Sequence, residues 1–252
     1  MAVYKKVLKS AVILGVFLAG GCLINKKKPL PPQVVDLPQI ADCSSGCAPF
    51  ETPEQLNESY MNHYGWRFEK FDTEPMRPTA QNAFKAYARF APGKRILDIG
   101  AGPGHYAAGI AAQGFLVDCI DPHAAFKKYC ENKGLPFVCT SVLDYKPAAA
   151  YDVVVGIGWP FSHVRPENAA AVLKHIATKL LVSKGIAILT FFIGCGVTYE
   201  DPMKVGHKRY FVHYSEEECR KLLGQWFEVI AVKEHYLNSI QKDARIFVCR
   251  NK

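Results

Sequence analysis

The sequence predicts an α/β fold, doubly wound around a mostly parallel sheet with an antiparallel strand pair at its C-terminal end. Three observations carry this expectation. Short apolar runs alternate with helical stretches between residues 95 and 193, the pattern of a parallel sheet covered on both faces. The first apolar run opens into a turn with glycines at 100, 102 and 104. The last two apolar runs are separated only by a polar loop, which joins neighbouring strands antiparallel.

In chain order, Arg95 to Ile99 reads as the first strand and Pro103 to Gln113 as the helix behind the turn. Phe115 to Asp121 is a second buried strand ending in an acid, and Pro122 suits the first turn of the next helix, where its missing N–H costs nothing. Leu135 to Thr140 and Tyr151 to Ile157 follow as strands three and four. An amphipathic helix over Glu167 to Leu181 then leads to a fifth strand, Gly185 to Ile193. Ser215 with Glu218 three residues on forms a capping-box signature for a helix ending near Gly224. Phe227 to Glu234 and Ala244 to Arg250 are the closing antiparallel pair.

The turn itself narrows the chemistry. Glycine lets the backbone take positive φ and approach a ligand, and the following helix presents unpaired N–H groups to it. A dinucleotide fingerprint begun at Gly100 and Gly102 needs its third glycine at position 105, where this chain has His105. Asp98, two residues before the first glycine, suits a cationic amine better than a pyrophosphate. Ile96 to Gly104 resembles motif I of the class I S-adenosylmethionine-dependent methyltransferases, and the likeness runs from about Pro78 to Cys249. It implies a seven-stranded Rossmann-like sheet and S-adenosyl-L-methionine as cofactor. Asp98, Gly100, Ala101, Gly102 and Gly104 would then hold the methionine portion. Asp121, 21 residues after Gly100, would take the ribose hydroxyls with Pro122 beside it. Where many members carry an acid for the adenine amine, this chain has Thr140, Ser141 and Val142, with Asp144 three residues after Ser141 as the alternative contact.

Acceptor residues are expected beyond the carboxyl ends of the strands, where open α/β sheets bind ligands. Trp159, after strand four, is a candidate to stack on adenine or face the sulfonium, and His163 is a candidate base or substrate contact. His207, Arg209, Tyr210, His213 and Tyr214 interleave charge and aromatic surface in eight residues. They are the expected substrate contacts, with Tyr210 also a candidate catalytic residue; their ordinary alternative is packing under a loop. No metal site is expected, because no further ligands accompany Cys43 and Cys47. Cys119, Cys139, Cys195 and Cys249 read as small buried hydrophobes.

The 252 residues carry a formal charge of +8, but six lysines against Asp36 place +5 of it in the first 40 residues. The +3 left elsewhere gives no basic surface of the kind a nucleic-acid binder needs, so nucleic acid is not an expected partner. Those lysines bracket an apolar stretch, Ala11 to Ile24, shorter than the roughly 20 residues of a membrane span. Ala19 to Cys22 resembles a bacterial lipobox. Residues 1–24 are therefore expected to be a signal or membrane anchor, 25–56 a proline-rich tether and 57–252 the catalytic domain. The expected function is methyl transfer to a small-molecule or lipid acceptor, by a membrane-associated protein whose domain faces the cytosol. Export as a lipoprotein, a non-catalytic surface lipoprotein, and an NAD(P)-dependent oxidoreductase stay open as alternatives. The oligomeric state is not legible.

Overall fold

Apolar runs that must be covered on both faces set the architecture. In the computed structural model, residues 55, 57–59, 61, 78–158, 160–200, 208–237 and 242–252 are described, so the expected anchor and nearly all of the tether lie outside the described residues. One sheet is built from β1 (Arg95–Ile99), β2 (Leu116–Asp121), β3 (Phe137–Cys139), β4 (Tyr151–Gly156), β5 (Leu181–Phe192), β8 (Phe227–Leu237) and β9 (Lys242–Asn251). Between β5 and β8 the chain forms a two-stranded hairpin, β6 (Gly196–Glu200) with β7 (Arg209–His213). The helices are α1 (Pro78–Ala88), α2 (His105–Ala111), α3 (Lys127–Asn132), α4 (Pro166–His175) and α5 (Glu216–Gly224).

The strand order is β3-β2-β1-β4-β5-β9-β8, parallel from β3 to β5 and antiparallel at β5/β9 and β9/β8. The seven-stranded sheet with its antiparallel close is thus as the sequence predicts. Chain order reverses between β1 and β4, and the crevice beyond their carboxyl ends is where such sheets bind ligands. Alternation along the central strands explains why both faces are apolar. Leu97, Ile99, Val154 and Leu189 point to the layer containing α4 and α5. Ile96, Val153, Val155 and Ile188 point to the layer containing α1, α2 and α3.

Boundaries differ from expectation where tertiary contacts override local pattern. The third strand shortens to Phe137–Cys139 at the sheet edge, and the fifth begins four residues early. The expected helix to Leu181 is α-helical only through His175 and closes in a π turn, Ile176–Leu180, tied down by Asn251, whose side chain donates to the Ala177 and Val182 carbonyls. The hairpin β6/β7 was not legible as strands. Cys119 and Cys249 are buried as expected, whereas Cys139 and Cys195 are exposed: one sits on the edge strand, the other in the turn before β6. The capping box is present, with Ser215 accepting from the Glu218 N–H and the Glu218 carboxylate accepting from the Ser215 N–H.

Gly104, the residue before α2, is where fold and site meet. Its φ is +75°, and a Cβ there would lie 2.9 Å from Cys130 Sγ and 3.0 Å from Leu135 Cδ1. Gly104→Ala should therefore destabilise the domain by about 2 to 4 kcal/mol, combining left-handed strain with overpacking. Urea denaturation measures this directly; a loss under about 1 kcal/mol would show that the turn relaxes instead.

Candidate active site

The crevice between the ends of β1 and β4 is framed by four short segments. After β1 comes the turn Gly100–Gly104, fixed from below by the Ala101 N–H, which donates to the Ile120 carbonyl at 3.1 Å. Gly102 has φ +54° and nothing within 4 Å of where a Cβ would stand, so the turn presents bare backbone to open space. At Gly100 the space is filled: Pro160, from the loop after β4, lies 2.9 Å from a Cβ position. That loop is held in turn by Thr190, whose hydroxyl accepts from the Gly158 N–H.

Two carboxylates lie at the mouth of the crevice. Asp98 is buried, receives the Ala107 N–H, and leaves Oδ2 with no hydrogen-bond partner among the described residues. Burial, reinforced by the nearby charge of Asp121, pushes it up to about 8. A buried oxygen without a donor is costly, and a cationic group would relieve both that deficit and the raised pKa. Asp121 is also held above the usual carboxylate range by burial, against the opposing pull of the His123 and Gly102 N–H groups and the charges of His123 and Arg209. Its Oδ2 accepts from Gly102 at 3.0 Å and its Oδ1 from His123 at 2.9 Å. Each oxygen keeps a second lone pair for a ligand hydroxyl. These residues fit a ligand with a cationic end and a diol, the donor set of S-adenosylmethionine.

After β3, Ser141 donates to Asp144 Oδ2 at 2.6 Å and accepts from the Asp144 N–H, so the two alternative adenine contacts form one unit. Val142 packs against the core beside them. Pro122 follows Asp121 directly, and its carbonyl accepts from the Cys139 thiol. Trp159 and His207 lie outside the described residues.

The remaining candidates are sorted by strand alternation in β7. Arg209, Phe211 and His213 share one face; Tyr210 and Val212 take the other, with Tyr214 following just past the strand end. On the first face Arg209 Nη2 donates to His163 Nε2 at 2.7 Å, and His163 Nδ1 donates to the Tyr210 carbonyl at 2.8 Å. Arg209 also lies near enough to Asp121 for its charge to act there. His213 bonds the Thr198 hydroxyl across the hairpin.

Three of the expected site positions are already engaged by the fold. His163 is half-buried with both ring nitrogens engaged, and desolvation and the Arg209 charge hold it well below its ordinary value, so it is a poor base and instead orients Arg209. Tyr210 and Tyr214 project into the core, Tyr214 edge-on to Phe191 with a buried hydroxyl that has no partner among the described residues. Both side chains pack within the core. Sequence reasoning missed Cys130 and Thr190, which support the turns; neither has a local signal, since each meets its partner only through the sheet.

Residues 96–183 match a family model described as a methyltransferase domain. That stretch is a methyltransferase domain. No curated protein matches it. Among solved structures it is similar to 1,6-didemethyltoxoflavin-N1-methyltransferase of Burkholderia thailandensis, with bound 1,6-didemethyltoxoflavin and S-adenosylhomocysteine. That likeness has 19% identity and a TM-score of 0.61, covering 85% of this chain and 98% of that one. It is also similar to the S-adenosylmethionine-bound magnesium protoporphyrin IX methyltransferase of Synechocystis, at 17% identity and a TM-score of 0.58, covering 82% and 100%. At these identities the likeness concerns the fold alone.

The raised pKa of Asp98 has a stability consequence. The unfolded chain loses this proton near the ordinary aspartate value of 3.8 and the native domain only near 8. Between those values the unfolded state sheds its proton first, so the Asp98 contribution falls as pH rises and the full penalty applies above 8. Asp98→Asn should match the wild type at pH 4 and exceed it by a few kcal/mol at pH 9 without ligand, read from urea unfolding. Equal stability at both pH values would contradict the burial argument.

Proposed function

We propose that this methyltransferase domain moves the methyl group of S-adenosylmethionine to a small-molecule acceptor held between the loop after β4 and the hairpin β6/β7. The single observation that carries the reading is Asp98 Oδ2, a buried acceptor with no donor beside a turn of bare backbone. When bound, the cofactor supplies a methyl group already activated on a sulfonium. The protein's work is then binding and alignment, and orientation of two bound reactants contributes on the order of 7 to 11 kcal/mol.

In this reading Asp98 accepts hydrogen bonds from the methionine ammonium while Gly100, Ala101, Gly102 and Gly104 let backbone close on the ligand. Asp121 accepts the ribose hydroxyls, with Pro122 starting the next segment beside it. Ser141 and Asp144 together accept the adenine amine and Val142 lies against the ring; Trp159 is the stacking candidate from the other side. On the acceptor side, Arg209 offers a fixed positive charge and His213 a hydrogen-bonding edge, with His207 two residues before Arg209 in sequence. This favours an acceptor whose nucleophilic atom is itself acidic and carried as an anion. Such an acceptor needs no dedicated base, which suits a site where His163 is committed to holding Arg209.

We further infer that residues 1–24 anchor the domain to a membrane, supported by the lysine-flanked apolar stretch and the lipobox-like Ala19 to Cys22. A lipid acceptor is compatible with that tether. Intact mass of membrane-extracted protein tests it: an acylated chain starting at Cys22, lost in Cys22→Ser, identifies a lipoprotein, and an unchanged N-terminus identifies an uncleaved anchor.

Calorimetry tests the cofactor reading. The domain should bind S-adenosylmethionine and S-adenosylhomocysteine, and Asp121→Ala should weaken both by about tenfold or more, the cost of losing charge-assisted bonds. Comparable binding of NAD, or no effect of Asp121→Ala, would overturn it. For a found acceptor, Arg209→Ala and His163→Ala should each lower kcat/KM by about tenfold. With His163 in the role of holding Arg209, His163→Ala should keep the wild-type pH profile, whereas loss of a limb of that profile would return it to the role of base.

A further inference from the structure

Two thiols that take no part in the reaction above are packed against the cofactor turn. Cys119 lies in β2, two residues before Asp121, and Cys130 lies in α3; both are fully buried. Cys130 Sγ donates to the Gly102 carbonyl at 3.4 Å. Cys119 hydrogen-bonds Cys130 in turn, and that bond together with burial pushes the Cys119 thiol far up, keeping it a neutral donor. The proton order is therefore fixed: Cys119 S–H to Cys130 Sγ, and Cys130 S–H to the Gly102 carbonyl.

This chain of donors complements the contact made by Asp121. The peptide before Gly102 is anchored by its N–H to Asp121 Oδ2. The peptide after it is anchored by its carbonyl to Cys130. Gly102 has no side chain to brace it and open space above it, so these two bonds decide which way its peptides turn. The same sulfur occupies the space 2.9 Å from a Cβ position at Gly104, so it also props the start of α2.

We propose that Cys130, backed by Cys119, is a positioning residue of the cofactor turn, setting the orientation of the Gly102 peptides and through it the affinity for S-adenosylmethionine. The inference rests on the reading of that turn as the cofactor site.

Three substitutions separate hydrogen bonding from bulk. Cys130→Ser keeps a donor in a smaller side chain, Cys130→Val keeps volume without a donor, and Cys130→Ala keeps neither. S-adenosylhomocysteine is titrated into each by calorimetry, well below its melting transition. Cys130→Ser should bind within about twofold of wild type, and Cys130→Val and Cys130→Ala about three- to tenfold more weakly. If the Cys130 variants do not fold, Cys119→Ala removes the backing donor without touching the turn and should weaken binding by about twofold. Wild-type affinity in all the variants, or a Cys130→Ser loss as large as that of Cys130→Val, overturns the inference. Failure of the wild type itself to bind S-adenosylhomocysteine instead removes the cofactor reading, and the inference falls with it.

Discussion

Two carboxylates buried side by side at the ends of β1 and β2 are the constraint on which the rest of the site depends. Parallel pairing puts Asp98 opposite Cys119 and Ile99 opposite Ile120, so Asp121 follows at the mouth of the next strand, within range of Asp98. Leaving both ionised without a counter-charge is unfavourable, and the protein meets this unevenly. Asp121 is given two backbone N–H groups and the neighbourhood of Arg209. Asp98 is given one N–H and is left raised. That imbalance is what a cationic ligand would correct, by displacing the proton that the free domain holds on Asp98.

The turn between the carboxylates shows the same economy. Gly102 faces open space, while Gly100 and Gly104 are closed by Pro160 and by Cys130 with Leu135. One glycine leaves room for a ligand, and two let neighbouring elements approach. The distinction explains why a third glycine at 104 serves here in place of one at 105: close packing is required against α3, not only between α2 and the sheet.

Much of this was legible in the sequence because it is local. The strand carrying Asp98, the spaced glycines, the 21-residue step to Asp121 and the capping box at Ser215 each sit within a single βαβ unit or a single helix start, and each is found where expected. The acceptor side was less legible because it is assembled across the sheet. A cluster of charge and aromatic rings in β7 looks like one surface in sequence, but period-two alternation sends Arg209 and His213 one way and Tyr210 into the core the other way. His163 was a reasonable base by type. Only its partners, 46 and 47 residues away, reveal that both nitrogens are spent.

Proton release on cofactor binding tests the central claim most directly. Calorimetry of S-adenosylhomocysteine in buffers of contrasting ionisation enthalpy, from pH 6 to 9.5, counts the protons exchanged. If Asp98 is protonated in the free domain and ionised against the ligand ammonium, binding should release close to one proton below its pKa of about 8, falling toward none above it. Asp98→Asn should abolish the release. Binding that exchanges no proton, or takes one up, between pH 6 and 7 would contradict the account; toward pH 9.5 the ligand's own amine takes up a proton as it binds as the ammonium.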